Sequence, residues 1–445
     1  MILREALERL SGDPVLVAGP VRSVRREALL GRGAPERLRG LRVGLCQADP
    51  SDALEAMAAL DGTVAALAPV SAALDPEDVT AQAAHAALDA VICDDPQAYP
   101  PARGVRFVAG VDALPDGPDG PGGPTDWILH TSGTTGTPKQ VVHSLEGLTR
   151  TARTAQAGDG AVRWGMVYDH TRFAGLQVLL QSALSGATLI APDQDAPLEE
   201  KVALFADRGC THLSGTPTLW RKIMMIPGAE RIPLRQATLG GEIADDRVLR
   251  SLAAFYPQAR VTHIFASTEA GVGFSVKDGR AGFPRAFLDD PPQGVGIRVE
   301  DGRLLVRNES VRPRYLNSDT AFADGDGWVE TGDAVEVTED RVLFLGRANG
   351  VINIGGDKVH PEEVEAALME HDLVSRARVY AKRNPITGAL VAADVALADA
   401  EADPGDARRE LRTWLAGRLA RHKVPAFLAV VEDFDVNAAG KLVRK

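Results

Sequence analysis

Through its first 110 residues the chain alternates short apolar β-type runs with longer alanine- and leucine-rich segments. "DPVLVAG", "LRVGLC", "VAALAPV", "DAVICD" and "VRFVAG" are of the first kind; "DALEAMAAL" and "TAQAAHAALD" lie between them. Strands separated by helix-length segments are joined by crossovers, so the pattern predicts an α/β fold with mostly parallel sheets. "MILREALERLSG" reads as a small amphipathic helix, because charge enters by its fourth residue. Residues 115–126, "PDGPDGPGGPTD", exclude helix and central strand and read as a surface loop. "WILHTSG" follows as a strand running into a glycine-rich turn. "KQVVHS" is again strand-like, with Ser144 placed to cap a helix through about Ala157.

A second boundary falls at "GRANG", residues 346–350. Beyond it a helix begins at Pro361, with Val364, Ala367, Leu368 and His371 on one face. "SRARVYA" and "LVAADVAL" read as strands and "ARRELRTWLAGRLA" as an amphipathic helix. The expected division is therefore 1–347, a large multi-sheet α/β domain, and 348–445, a small α+β domain. No internal repeat is evident.

Charge and cysteine usage narrow the chemistry. A net charge of −12 argues against a nucleic-acid partner, which would need a basic face. Three scattered cysteines with no CxxC pair, and nine histidines with no HExxH, argue against a disulfide framework or a zinc site. Cys46 and Cys93 sit in strand-like runs and read as buried, inert thiols. No run of about 18 uncharged apolar residues occurs, so the expectation is no membrane span and a cytoplasmic location.

Chemistry concentrates first in "HTSGTTGTPKQVVHS", residues 130–144. A Walker A loop would need glycine directly before its lysine, and Pro138 stands there instead. What remains is a turn dense in donors. The hydroxyls of Thr131, Ser132, Thr134 and Thr135, the amides of Gly133 and Gly136 and the ammonium of Lys139 form a phosphate cradle.

This loop resembles the signature of the adenylate-forming superfamily: acyl-CoA synthetases, peptide-synthetase adenylation domains and luciferases. Further matches follow in the family's order, from about residue 40 to the end. "IFASTEAG" is similar to its Tyr-Gly-x-Thr-Glu segment, with Phe265 for the aromatic residue and Ala266 for the glycine. The resemblance implies that Thr268 contacts phosphate and that Glu269 holds Mg2+, a role suited to a carboxylate facing a hard cation. "LGGE" resembles the loop against the adenine and implies Gly240, Gly241 and Glu242. "GWVETGD" implies Asp333 on the ribose hydroxyls. "GRANGVINIGGDKVHPEEVE" resembles the inter-domain signature, with Arg347 reaching ribose or phosphate and Asn349 as hinge of a mobile terminal domain. Asn349, Gly350 and Asn353 depart from the family's usual residues there. "VNAAGKLVRK" resembles the terminal Gly-Lys segment and implies Lys441 as the catalytic lysine. The segment before the signature loop is shorter than usual for the family.

The activity implied is ATP-dependent conversion of a small-molecule carboxylic acid to an acyl-adenylate, then transfer to the thiol of coenzyme A. Transfer to a carrier protein in trans or to an amine is an alternative; a non-catalytic nucleotide-binding subunit is one of another class. Nothing beyond ancestry suggests a luciferase-like oxygenase. For the acyl pocket, "YDHTRFAGLQVLL" supplies Arg172 and Phe173, while Thr216 and Ala266 would narrow it toward a small or aromatic acid. Arg172 has two readings, a partner for an acidic group on the substrate or a structural salt bridge.

Overall fold

The alternating runs assemble a seven-stranded sheet in the computed structural model. The described residues are 2–434 except 21, 32, 34, 119–122, 132–138, 153–161, 293, 309–313, 317–322, 348–349, 355–356, 385–387, 400 and 433. Asp126–His130, Ala66–Pro69, Arg42–Cys46, Ala90–Cys93 and Arg106–Val108 lie side by side in that order, all parallel. Gln140–His143 and Arg314–Tyr315 extend the sheet antiparallel beyond Asp126–His130. The crossover helices Pro50–Leu60 and Pro76–His85 each open with proline in the first turn, where its missing N–H costs nothing. Ala66–Pro69 and Ala90–Cys93 are buried throughout, which explains why these strands read as continuous apolar runs rather than alternating ones.

An eight-stranded sheet packs against it. Its centre is a parallel row in the order Thr188–Ile190, Arg163–Gly165, His212–Gly215, Gln236–Gly240 and Arg260–Ser267. Gly271–Val276 closes one edge antiparallel, and Val15–Ala18 with Ser23–Arg25 forms the other. Leu3, Leu7, Leu16, Leu54, Trp127, Leu176 and Leu179 form one core joining elements of both sheets. Asp61 is buried within reach of it, taking hydrogen bonds from Trp127 Nε1 (3.0 Å) and the Leu3 amide (2.7 Å).

A five-stranded antiparallel sheet follows: Phe283–Pro284, Arg341–Arg347, Val329–Val337, Arg303–Asn308 and Val295–Glu300. The smaller α+β part has the hairpin Ile352–Ile354/Asp357–Val359 and the helices Pro361–Met369 and Pro404–Ala416. Its sheet is made of Val374–Asn384, Gly388–Leu397 and Phe427–Val431. Val359, Val364, Leu368, Val379, Val395, Leu411 and Leu415 give it a core of its own. From the helix Asp246–Phe255, Arg247 donates to the carbonyls of Met369 and His371, the latter at 2.8 Å.

Three local expectations need correction. Ser144 does cap a helix, accepting from the Gly147 amide at 3.1 Å, but the helix is only Leu145–Thr149. The Thr149 hydroxyl turns back onto the Leu145 carbonyl (2.7 Å), and Arg150 is drawn to the strand Gly271–Val276. His371 lies past the helix that ends at Met369, its ring edge-on to Trp414 at 4.8 Å. The last helix begins three residues before the quoted run because Asp403 caps it at the Gly405 and Asp406 amides, and it ends at Ala416. Cys46 and Cys93 are buried, and burial pushes both thiols up, Cys93 to about 12. Among the described residues no helix is long and apolar enough to cross a membrane.

Candidate active site

Parallel strands present all their carboxyl ends at one edge, where ligands of open α/β sheets ordinarily bind. The candidate residues fall on that edge in strand order. Arg163–Gly165 leads into 166–172 and Arg172, His212–Gly215 into Thr216, Gln236–Gly240 into Gly241 and Glu242, and Arg260–Ser267 into Thr268 and Glu269. Segments spread over a hundred residues of sequence thus become neighbours.

Thr268 and Glu269 occupy the tip of the hairpin between Arg260–Ser267 and Gly271–Val276, both half-buried. Gly271 has φ +68, a left-handed turn that a side chain would strain. The Ser267 hydroxyl accepts from the Ala270 amide (2.9 Å). The Asn308 amide donates to the carbonyls of Ala270 (3.3 Å) and Val272 (3.2 Å), and Arg150 to those of Val272 and Gly273, the latter at 3.2 Å. The His143 ring is buried with no partner in hydrogen-bonding geometry; the Thr268 carbonyl is the polar group facing it. Burial pushes its pKa down to about 4.

Phe265 is stacked between Phe274 (5.3 Å) and Phe344 (5.7 Å), so its ring belongs to an aromatic cluster behind the hairpin. Ala266 pairs with Val272 just past a register shift. Glu242 accepts from the Thr218 amide (3.0 Å) at the start of the helix Pro217–Met224. Thr216 is buried and caps that helix, accepting from the Leu219 amide (3.1 Å).

The donor-rich turn joins Asp126–His130 to Gln140–His143. Thr131 and Lys139 frame it through a Thr131 N–H to Lys139 carbonyl bond of 2.9 Å. Ser132, Gly133, Thr134, Thr135 and Gly136 lie outside the described residues, as do Asn349 and Lys441. Lys139 Nζ is 3.5 Å from the Tyr315 hydroxyl and 5.0 Å from its ring centroid. His130 is buried beside Gln140 (Nε2 to Nε2, 3.1 Å). Burial pushes it down to about 4, the Pro69 carbonyl opposes, and the Arg172 charge pushes down further.

Asp333 and Arg347 meet because their strands pair in register, Asp333 directly opposite Arg347. Arg347 Nε is 3.4 Å from Asp333 Oδ1, and Nη1 donates to the Thr331 carbonyl at 2.5 Å. Gly332 has φ +75, and a Cβ there would lie 3.3 Å from Arg347 Nη1.

Phe173 begins the helix Phe173–Ser185, its ring 5.9 Å from His143. Arg172 caps that helix and stands 3.8 Å, through Nε, from Asp169. Arg150 and Asn308 lie outside every quoted motif, His143 lies within one without being singled out, and none of the three was anticipated. Only His143 leaves a trace, as a histidine in the wholly buried strand "QVVH".

Among the described residues no cluster of three or more His, Cys, Asp or Glu side chains could hold a metal by itself. The lone Glu269 carboxylate fits a magnesium ion that takes one protein oxygen and completes its shell with phosphate and water. The Asp333–Arg347 corner offers an acceptor for hydroxyls beside a cation, which fits a ribose next to phosphate.

The AMP-binding enzyme family model matches residues 38–316, and that of the AMP-binding enzyme C-terminal domain matches residues 363–441. The chain belongs to the AMP-binding enzyme family. It is 26% identical over 328 residues to a 2-succinylbenzoate–CoA ligase of Listeria innocua, covering 71% of this chain and 68% of that one. It is 27% identical to the p-hydroxybenzoic acid–AMP ligase FadD22 of Mycobacterium marinum, covering 71% and 47%. Its fold matches an anthranilate CoA ligase, AuaEII, in complex with anthranoyl-AMP, at TM-score 0.81 and 16% identity over 99% of this chain and 95% of that one.

Proposed function

We propose that this AMP-binding enzyme joins a carboxylic acid to ATP, releases pyrophosphate, and passes the acyl group from its adenylate to the thiol of coenzyme A. The observation that carries this reading is the alignment of Gly240–Glu242 and Thr268–Glu269 on the carboxyl ends of adjacent parallel strands. The residues that the family resemblance assigns to the nucleotide stand there side by side.

In the first step a carboxylate oxygen attacks the α-phosphorus and the bond to pyrophosphate breaks. Positioning and charge stabilisation do the work. Lys139 with Thr131, Ser132, Gly133, Thr134, Thr135 and Gly136 holds the β- and γ-phosphates. Thr268 takes the α-phosphate, Asp333 the ribose and Arg347 the ribose or phosphate. Bound through Glu269, magnesium supplies charge to offset the phosphates. Lys441 bridges the incoming carboxylate and the α-phosphate. In the second step the segment after residue 347 turns about Asn349, Lys441 leaves, and the thiol sulfur attacks the acyl carbon as AMP departs. The boundary at 347/348, this motion and a cytoplasmic location are part of the proposal. Transfer to a carrier-protein thiol is a second reading, favoured by the relative named an acid–AMP rather than an acid–CoA ligase.

The test is carboxylate-dependent ATP–pyrophosphate exchange with 2-succinylbenzoate, p-hydroxybenzoate, anthranilate and short diacids, with Lys441→Ala alongside and coenzyme A in parallel product assays. Exchange with one class of acid, lost by about 10²-fold or more in the variant, is expected. ATP binding with no exchange on any acid overturns the reading. Product formed only on a carrier thiol replaces coenzyme A with the second reading.

A further inference from the structure

Arg172 is a cation that its surroundings leave only partly matched. Its side chain is 25% exposed. A half-buried guanidinium is well suited to a bidentate carboxylate partner. Here the nearest carboxylate, Asp169, approaches only Nε, at 3.8 Å, beyond hydrogen-bonding distance. Asp169 is otherwise engaged. It accepts from the Ser71 hydroxyl (2.5 Å), the Thr171 hydroxyl (2.6 Å) and the Thr171 amide (2.9 Å). Burial alone would raise its pKa, yet these bonds hold it below the usual carboxylate range. Neutral donors are thus the main support of the Asp169 carboxylate. Its neighbour His130 is neutral, and the first turn of the helix that Arg172 caps contains no acid.

Position supplies the second half of the argument. Arg172 follows Arg163–Gly165, three strands along the carboxyl edge from Arg260–Ser267, which carries Thr268 and Glu269. Three inter-strand steps span about 14 Å. Thr268 and Arg172 therefore share one edge of the sheet, across a span that the body of an acid and the long Arg172 side chain would cover together. The Arg172 charge also bears on His130, which leads into the donor-rich turn.

We propose that Arg172 receives a second acidic group of the acid substrate, which makes that substrate a dicarboxylic acid or an acid with an equivalent oxyanion. The inference rests on the function proposed above. A phosphate oxygen of the nucleotide has the same chemistry, so the test separates the two sources.

Exchange rates are measured for pairs that differ in one carboxylate: 2-succinylbenzoate against 3-benzoylpropionate, adipate against hexanoate, and suberate against octanoate. The wild type is compared with Arg172→Ala and Arg172→Lys, and the Kd for ATP is measured without acid. The wild type is expected to favour the diacid of at least one pair by about tenfold or more in kcat/KM, through a lower KM. Arg172→Ala is expected to bring that ratio near one, Arg172→Lys to restore part of it, and the ATP Kd to stay within twofold. A ratio that survives in Arg172→Ala, or a wild type that prefers the monoacids, overturns the inference while leaving the proposed function standing. A loss of ATP affinity that slows every acid alike overturns it in favour of a phosphate contact. No exchange with any acid fails the proposed function itself, and this inference with it. If the alanine variant does not fold, Arg172→Gln gives the same ratio.

Discussion

The hairpin carrying Thr268 and Glu269 and the corner joining Asp333 to Arg347 both turn at a left-handed glycine, Gly271 in one and Gly332 beside the other. They are held in place differently. The corner is local. Pairing of Val329–Val337 with Arg341–Arg347 sets Asp333 opposite Arg347, and the Thr331 carbonyl completes it. The hairpin is fastened from a distance, by Arg150 from 122 residues before Val272 and by Asn308 from 36 residues after it. A local corner outlasts the loss of any remote side chain, whereas a hairpin tip fastened this way depends on each fastening.

The largest effect expected is at the tip itself. Glu269→Gln should slow pyrophosphate exchange by about 10²-fold or more, with partial recovery at high magnesium. Exchange that is unaltered at limiting magnesium would remove Glu269 from the metal's path.

Acid should strike the hairpin side next. His143 faces Thr268 and is held neutral in the fold, while the unfolded chain protonates it near 6.5. Between pH 6.5 and about 4 the unfolded state therefore binds the extra proton. Stability is full above pH 6.5 and falls as pH drops, by on the order of 3 kcal/mol for this group. Urea midpoints from pH 4 to 7 measure it, and His143→Phe should flatten the slope; an equal slope in the variant would remove His143 as its cause.

At the corner, Asp333→Ala should raise the KM for ATP by about tenfold or more through loss of charge-assisted bonds. Amide exchange in Val329–Val337 should stay as in the wild type. Strand opening in the variant would show that the ion pair, not the register, builds the corner.

Arg150→Ala should have the smallest effect, a few-fold rise in the magnesium midpoint with about 1–3 kcal/mol of lost stability as the Val272 and Gly273 carbonyls each lose one donor. Arg150→Lys should recover part of both. Lost stability with an unmoved magnesium midpoint would make the fastening a matter of folding alone.

The same contrast separates what could be read in the sequence from what could not. The corner and the tip could be singled out because their residues sit in short runs, "WVETGD" and "ASTEAG", that resemble family motifs as text. The α/β alternation was legible because parallel strands buried on both faces leave unbroken apolar runs such as "AVIC". Arg150 and Asn308 were not legible, since each is a single polar residue whose partners are backbone carbonyls far away in sequence. The capping role of Thr216, whose hydroxyl accepts from the Leu219 amide, was not read from the sequence either. The helix after Ser144 was misjudged in length for a related reason, because Arg150 answers to a distant strand rather than to its own helix.

Arg247 shows what such main-chain attachment entails. The carbonyls of Met369 and His371 belong to the end and exit of the helix Pro361–Met369, where the last carbonyls gather partial negative charge. Arg247 is therefore at once a fastener between two parts of the chain and a cap for that helix. Letting go exposes the helix end to fraying, so the order of its last turn and the docking of the terminal part rise and fall together. Because the grip is on oxygens every residue possesses, it does not depend directly on which side chains stand at 369 and 371, whereas it does depend on Arg247.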